Sequence, residues 1–504
     1  MSLANDPDNP VVPDTSITRA LLHNNALPFL DQVSIHELIT SFEDEVRKLD
    51  PEIARVQNVL HELQSRRSTV IAEIHSCRIA IAPHRKIPNE ILAKIFIHAA
   101  SEKVSIVVPN GHTERFPPYN ILLVCSRWRD VALGERRLWN NVEVNFDDIS
   151  PNFCPRNFAR SGGVVLDRTA LSPISLTILL NFSSAPNSFP KMIQNFLMRS
   201  ERRLNTLVLD MGHIQRQILC DISSGFFERL ETVSITIDTD LQTYDTATLF
   251  EDASELRKFT ITTKNGVCPC FFAPTMFPLP WAQLTSLHFG AMVALHPSDA
   301  HAMLSQCTSL VRCTISVRAP GNPPAKIPST IMPSLRKLRL VLYNESNHWL
   351  PYFCFPSLTT LELGCVPCFG IKSLYSELDL HPRNLLKLSS LKVNLDMSRP
   401  ILEKLLQNVP TLALLTLPGR NSVPEDILAK IADGSLVPRL KHLVCRVDLL
   451  SRGLDMIESR LKDTRATTIG DVTIFYARCR DAEDRERIAT LRKCGLSIDT
   501  SPQL

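Results

Sequence analysis

The chain has 504 residues, of which 44% are hydrophobic and 21% charged. These are the proportions of a folded globular protein and exclude wholesale disorder. Fifty-five basic residues stand against 52 acidic ones, a net charge of +3, which excludes a polybasic nucleic-acid-binding or membrane-surface protein.

Chain length leaves room for about three domains, or for one long repeat array with a smaller unit. No apolar run approaches the roughly 20 residues a bilayer needs. The first residues, MSLANDPDNPVVPD, lack the basic and apolar regions of a secretory signal. Without such a signal the 14 cysteines are expected to be thiols in a reducing compartment, cytoplasmic and/or nuclear.

Residues 1–33 read as a disordered tail, with Asp6, Asp8, Asp14 and Asp31 against Arg19, and Pro7, Pro10, Pro13 and Pro28. Residues 34–82 read as a coiled-coil-like helix. Ser34 and Glu37 make a capping box at its start. One seam is Ile39, Val46, Ile53, Leu60, Arg67, Ile74 and Ile81; the other is Ile35, Phe42, Leu49, Val56, Leu63, Val70 and Cys77. The alternating spacing of three and four is that of a heptad. Asp50-Pro51 predicts a short helix, a kink and then a long helix from about Pro51 to about Ala82. Arg67 interrupts the seam, and two readings stand: a helix folded back on its own protein, or a homodimer through 34–82.

Residues 83–146 form a compact block. Ile87-Pro88-Asn89-Glu90-Ile91-Leu92 opens a helix whose apolar face is Ile91, Leu92, Ile95, Phe96 and Ala99 at helical spacing. A polar insertion, about Ser101 to Pro118, separates it from a second predicted helix, YNILLVCSRWRDVAL. That helix would place Ile121, Val124, Cys125, Trp128 and Ala132 on one face. Leu138-Trp139 closes the block, and Val142, Val144 and Phe146 alternate like a strand.

Downstream, apolar-x-x-apolar-x-apolar recurs. It begins at Leu204, Leu230, Leu256, Leu284, Leu310, Leu335, Leu358, Leu388, Leu412 and Leu440, at intervals of 26, 26, 28, 26, 25, 23, 30, 24 and 28 residues. Weaker matches begin at Leu171 and Ile469. Such a period is that of leucine-rich repeats. It predicts a solenoid over 147–480, with parallel short strands and helical returns at Pro190–Arg203, Pro297–Gln306, Pro400–Asn408, Pro424–Ala432 and Gly453–Lys462. Residues 481–504 are expected to form a C-terminal helix or cap. The fold class expected is therefore α/β: a heptad helix, a small all-α block, then the solenoid.

The three submotifs of the block, Ile-Pro-x-Glu-Ile-Leu-x-x-Ile-Phe, then Val-Cys-x-x-Trp-Arg-x-x-Ala, then Leu-Trp, together resemble the F-box. The whole plan is similar to leucine-rich-repeat F-box proteins of mushroom-forming fungi. The resemblance covers about 50 of the 504 residues and departs from the pattern in a longer connection between the first two helices. It implies a substrate-recruiting subunit of a Skp-cullin-F-box type ubiquitin ligase. The F-box would dock a Skp-family adaptor, and through it a cullin and a RING protein. The adaptor-binding residues it implies are Ile87, Pro88, Ile91, Leu92, Ile95, Phe96, Val124, Cys125, Trp128, Leu138 and Trp139. The alternative is a repeat scaffold without a ligase role.

No phosphate-binding glycine loop, G-x-S-x-G or H-E-x-x-H occurs; the chain is not expected to be an enzyme or to carry a cofactor. Cys268, Cys270, Cys365 and Cys368 could supply four thiolates, but the two pairs lie nearly four repeats apart, so no metal is expected. A protein target is expected on the concave sheet face, where the residues between the leucines point away from the core. Arg312, Lys337, Arg339 and Lys392, with Glu362, make a stripe there.

Overall fold

The computed structural model describes residues 29–100, 103–107, 117–146, 155–169, 171–180, 189–200, 203–211, 227–237, 250–264, 270–274, 278–318, 329–343, 353–365, 384–395, 397–419, 422–462, 467–479 and 481–502. The chain divides into two compact units, Met1–Pro88 and Asn89–Leu504.

The first unit is dominated by α1 (Phe29–Ala80), 52 residues long. It starts ahead of the expected cap at Ser34 and runs through Pro51 without a break. Proline removes one N–H, at a cost of about 3 kcal/mol. Splitting the helix would leave four N–H and four C=O groups without partners instead. Residues 29–33, expected in the tail, belong to this helix; residues 1–28 lie outside the described residues.

The second unit is mixed α/β, built on a long parallel sheet. It opens with α2 (Asn89–Ala99), β1 (Val104–Val107), α3 (Pro117–Leu122), α4 (Ser126–Gly134) and β2 (Asn141–Asn145). Two expectations are corrected here. The supposed polar insertion holds β1, which pairs in parallel with β2, Val104 opposite Val142 and Ile106 opposite Val144. Its Val-Ser-Ile-Val sequence suits a strand, but the partner lies 38 residues on, beyond local pattern. The second predicted helix is two helices, separated at Leu123–Cys125. Cys125 is extended, and its Sγ accepts from the Trp128 N–H as an N-cap. The Arg129 Nε–H meanwhile donates to the Leu122 carbonyl at 3.1 Å.

The sheet continues through β3 (Ile174–Leu180), β4 (Leu204–Met211), β5 (Thr232–Ile237), β6 (Lys258–Thr263), β7 (Cys270–Phe272), β8 (Ser286–Phe289), β9 (Val293–Leu295) and β10 (Arg312–Arg318). A separate parallel pair, β11 (Thr330–Ile331) and β13 (Phe353–Cys354), flanks β12 (Lys337–Tyr343) in sequence. The main sheet resumes with β14 (Thr360–Cys365), β15 (Ser390–Asn394), β16 (Leu414–Leu417), β17 (His442–Leu449), β18 (Asp471–Arg478) and β19 (Ser497–Pro502). Successive strands pair in parallel and in chain order, with short β7 and β9 alongside. The arrangement is compatible with an α/β solenoid. The sheet reaches past both expected ends, because β1 and β2 precede it and the C-terminal segment adds β19 after its helix.

Every apolar position of the ten recurring motifs is at most 6% exposed. Register explains this. Leu207, Val233, Phe259 and Leu287 lie side by side, as do Leu338, Leu361, Leu391, Leu415 and Leu443. One strand cannot bury such residues alone; neighbours in register do. The returns contain α6 (Phe189–Ser200), α7 (Pro297–Gln306), α8 (Arg399–Gln407), α9 (Glu425–Ala432) and α10 (Leu450–Lys462), each within three residues of its expected limits. Two further helices are α5 (Pro155–Thr169), which was not expected, and α11 (Asp481–Lys493). In α10 a Cβ on buried Gly453 would come within 2.8 Å of Ile474 Cδ1, so glycine there lets the helix lie close on β18.

Candidate interaction surfaces

The α2–α4 block sorts its residues by burial. Leu92 and Phe96 are 1% exposed, Leu138 4% and Trp139 0%; these four belong to its core, with Ile121 and Ala132. The Trp139 indole N–H donates to the Ala132 carbonyl at 2.9 Å. The Tyr119 ring meets the indole edge-on, centroids 5.6 Å apart, and the Arg168 guanidinium lies 4.5 Å from the indole centroid. Burial pushes the Tyr119 hydroxyl up, against the lowering effect of Arg168. Phe96 packs on half-buried Trp128, centroids 4.9 Å apart.

The remaining residues singled out by sequence lie differently. Ile91 is 45% exposed, Ile95 44% and Val124 57%. Ile91 and Ile95 are one turn apart on α2. Pro88 and Cys125 are exposed and Ile87 is half-buried. The expectation that Val124 and Cys125 share a helical face with Ile121, Trp128 and Ala132 is therefore corrected: both fall in the α3–α4 connection, where no helical face exists to turn them inward. Leu123 beside them is 66% exposed, an apolar surface residue that helical periodicity gave no reason to single out.

Between α2 and α4 opens a cleft of about 660 Å³ lined by charged groups of both signs, among them Glu90, Lys94, Arg127, Asp130, Glu135 and Arg137. Arg127 donates to Asn89 Oδ1 through Nε and Nη2 at 3.0 and 2.9 Å. Arg137 grips Glu135 through two bonds of 2.9 Å, which hold the Glu135 carboxyl below its ordinary range. Arg127 and Arg137, like Arg129 through the Leu122 carbonyl, are thus engaged with their own block.

On the solvent-exposed face of the sheet, register gathers the predicted stripe. Lys258, Ser286, Arg312 and Lys337 form one row. Thr260, His288, Thr314, Arg339, Glu362 and Lys392 form the next. Glu362 lies between two cations, 3.0 Å from Lys392 Nζ and 3.7 Å from Arg339 Nε. Arg312 and Lys337 are exposed neighbours in the adjacent row. Burial first, then the nearby Arg339 charge, lowers the His288 imidazole below its ordinary value. The surface is cationic with one carboxylate at its centre, and can hold an anionic group by charge and by the guanidinium fork.

Among the described residues no three His, Cys, Asp or Glu side chains are placed to hold a metal ion, and no helix is long and apolar enough to cross a membrane. Cys268 and Cys368 lie outside the described residues; Cys365 is exposed. No protein-family model matches this chain, and no curated protein matches it either.

Proposed function

We propose that the chain recruits substrates to a Skp-cullin-F-box type ubiquitin ligase, with the α2–α4 block as its F-box and the parallel sheet as a leucine-rich-repeat solenoid. The observation that carries the reading is the division of the block into a closed core, Leu92, Phe96 and Trp139, and exposed apolar residues, Ile91, Ile95, Leu123 and Val124. A small helical block with a complete core has no internal use for exposed isoleucines on α2. Docking by a helix into an apolar groove uses such anchors. The adaptor would bring the cullin and the RING protein, the concave sheet face would hold the target, and the protein would work in the cytoplasm and/or nucleus.

The test is co-purification of the full chain with a Skp-family adaptor. Ile91→Asp with Ile95→Asp is expected to lower adaptor affinity at least about a hundredfold, because a charge in a desolvated apolar contact costs several kcal/mol. Adaptor bound at wild-type strength by this folded variant refutes the docking surface. For the target, Arg312→Glu, Lys337→Glu and Arg339→Glu together are expected to change which proteins are captured while the adaptor stays bound. Unchanged capture removes the stripe from recognition.

A second reading has one specific observation in its favour. The block contributes β1 and β2 to the sheet, a structural role it has with or without an adaptor. A scaffold without a ligase role would capture targets and leave the adaptor behind.

A further inference from the structure

On α1, Ile39, Phe42, Val46, Leu49, Ile53 and Val56 of the heptad seam are each 45–58% exposed, and the seam continues at the same spacing to Ile74. Heptads sustained over this length mark a helix that packs on another helix.

We infer that α1 is one half of an antiparallel coiled coil with a second copy of this chain. Charge placement selects the orientation. Arg67 is the one charged residue between Ile35 and Ile81 on the seam. In a parallel, in-register pair it would face Arg67 of the second copy, and Glu45 would lie beside Asp50 across the interface. Both contacts set like charges together, and the attractive flanking pair of that arrangement, Glu73 beside Arg78, offsets the second but leaves Arg67 facing Arg67. In an antiparallel pair each a position faces a d position. The register that places Ile53 opposite Val56 of the second copy runs outward to Ile39 opposite Val70 and Ile74 opposite Ile35. It spans roughly 60 Å at 1.5 Å per residue.

In that register Arg67 meets the Phe42 ring of the second copy, a contact favourable to a guanidinium. Glu45 and Arg66 both flank the seam and meet across it twice, once for each half of the two-fold pair. Pro51 falls at the heptad position farthest from the seam, which agrees with its place inside an unbroken helix.

Sedimentation of the full-length chain over a concentration series tests this. Wild type is expected to dimerise. Glu45→Arg is expected to weaken the dimer about tenfold, since two attractive pairs become repulsive, and adding Arg66→Glu is expected to restore it. In a parallel dimer Glu45→Arg would instead remove a repulsion from Asp50 and tighten association, which overturns the orientation. So would a disulfide-linked dimer, formed on mild oxidation, that disappears with Cys77→Ser, because Cys77 faces its own copy only in the parallel pair. A wild-type monomer at every concentration, or a dimer indifferent to both charge changes, overturns the inference altogether.

Discussion

Trp139 and Ala132 are joined by a buried hydrogen bond across seven residues, from the indole N–H to the backbone carbonyl, at 2.9 Å. The bond ties the end of the helical block to α4, and β2 begins two residues after Trp139. Trp139→Ala is expected to destabilise the second unit by about 3–5 kcal/mol, through the lost burial and the cavity left behind. Trp139→Phe keeps much of the volume and leaves the Ala132 carbonyl unpaired, for a loss of about 1–3 kcal/mol. Urea titrations followed by near-ultraviolet circular dichroism would rank the two.

Leu92 and Ile91 are adjacent in sequence and opposite in consequence. Leu92 is 1% exposed and Ile91 45%. Leu92→Asp, or Phe96→Asp, buries a charge in the core and is expected to unfold the block, read as protease cleavage within residues 89–139. Ile91→Asp is expected to leave the cleavage pattern unchanged. Loss of adaptor binding by Leu92→Asp therefore says nothing about docking, and the exposed isoleucines are the residues to change.

Arg460 is 1% exposed, and its guanidinium donates to four backbone carbonyls: Ile431, Val437 and Pro438, and Thr467. It closes the C-terminal end of α9 and the turn in which Val437 is held at φ 44°. A guanidinium is a planar fork of five donors; a lysine ammonium has three on one atom. Arg460→Lys is expected to cost about 2–3 kcal/mol and Arg460→Leu about 3–5 kcal/mol, from carbonyls left buried and unpaired. Hydrogen exchange should quicken in residues 425–447 before it does in β4–β6.

Burial pushes the thiols of Cys307 and Cys445 up to about 12 from an ordinary 9.0, and raises Cys313 well above the same value. At pH 8 these three are expected to resist iodoacetamide in the native chain, while exposed Cys77, Cys125, Cys365, Cys479 and Cys494 are alkylated; peptide mass mapping would tell them apart. The pH dependence follows. Between about 9 and 12 the unfolded chain releases these protons and the folded chain keeps them. Their contribution to stability is full below 9 and is lost as the pH rises through that window.

The sequence by itself determined the strands of the ten recurring motifs, most of the helical returns and the heptad helix. Each rests on apolar residues repeating at a fixed local spacing, and the ten motif leucines are buried because stacking in register makes their spacing pay off in contact. What only the tertiary structure decided is where local pattern met a distant partner or a competing cap. The strand Val104–Val107 exists because Asn141–Asn145 lies beside it. The expected second helix of the block breaks at Cys125 because that residue's sulfur and the Arg129 side chain satisfy the two helix ends. Periodicity marked Ile91 and Leu92 alike as apolar, since it records spacing and not the neighbours that bury one and leave the other to water. The stripe of Arg312, Lys337, Arg339 and Lys392 was legible residue by residue. That Glu362 reaches ion-pair distance of both Arg339 and Lys392 depended on side-chain geometry across the paired strands, which the spacing of the motifs does not encode.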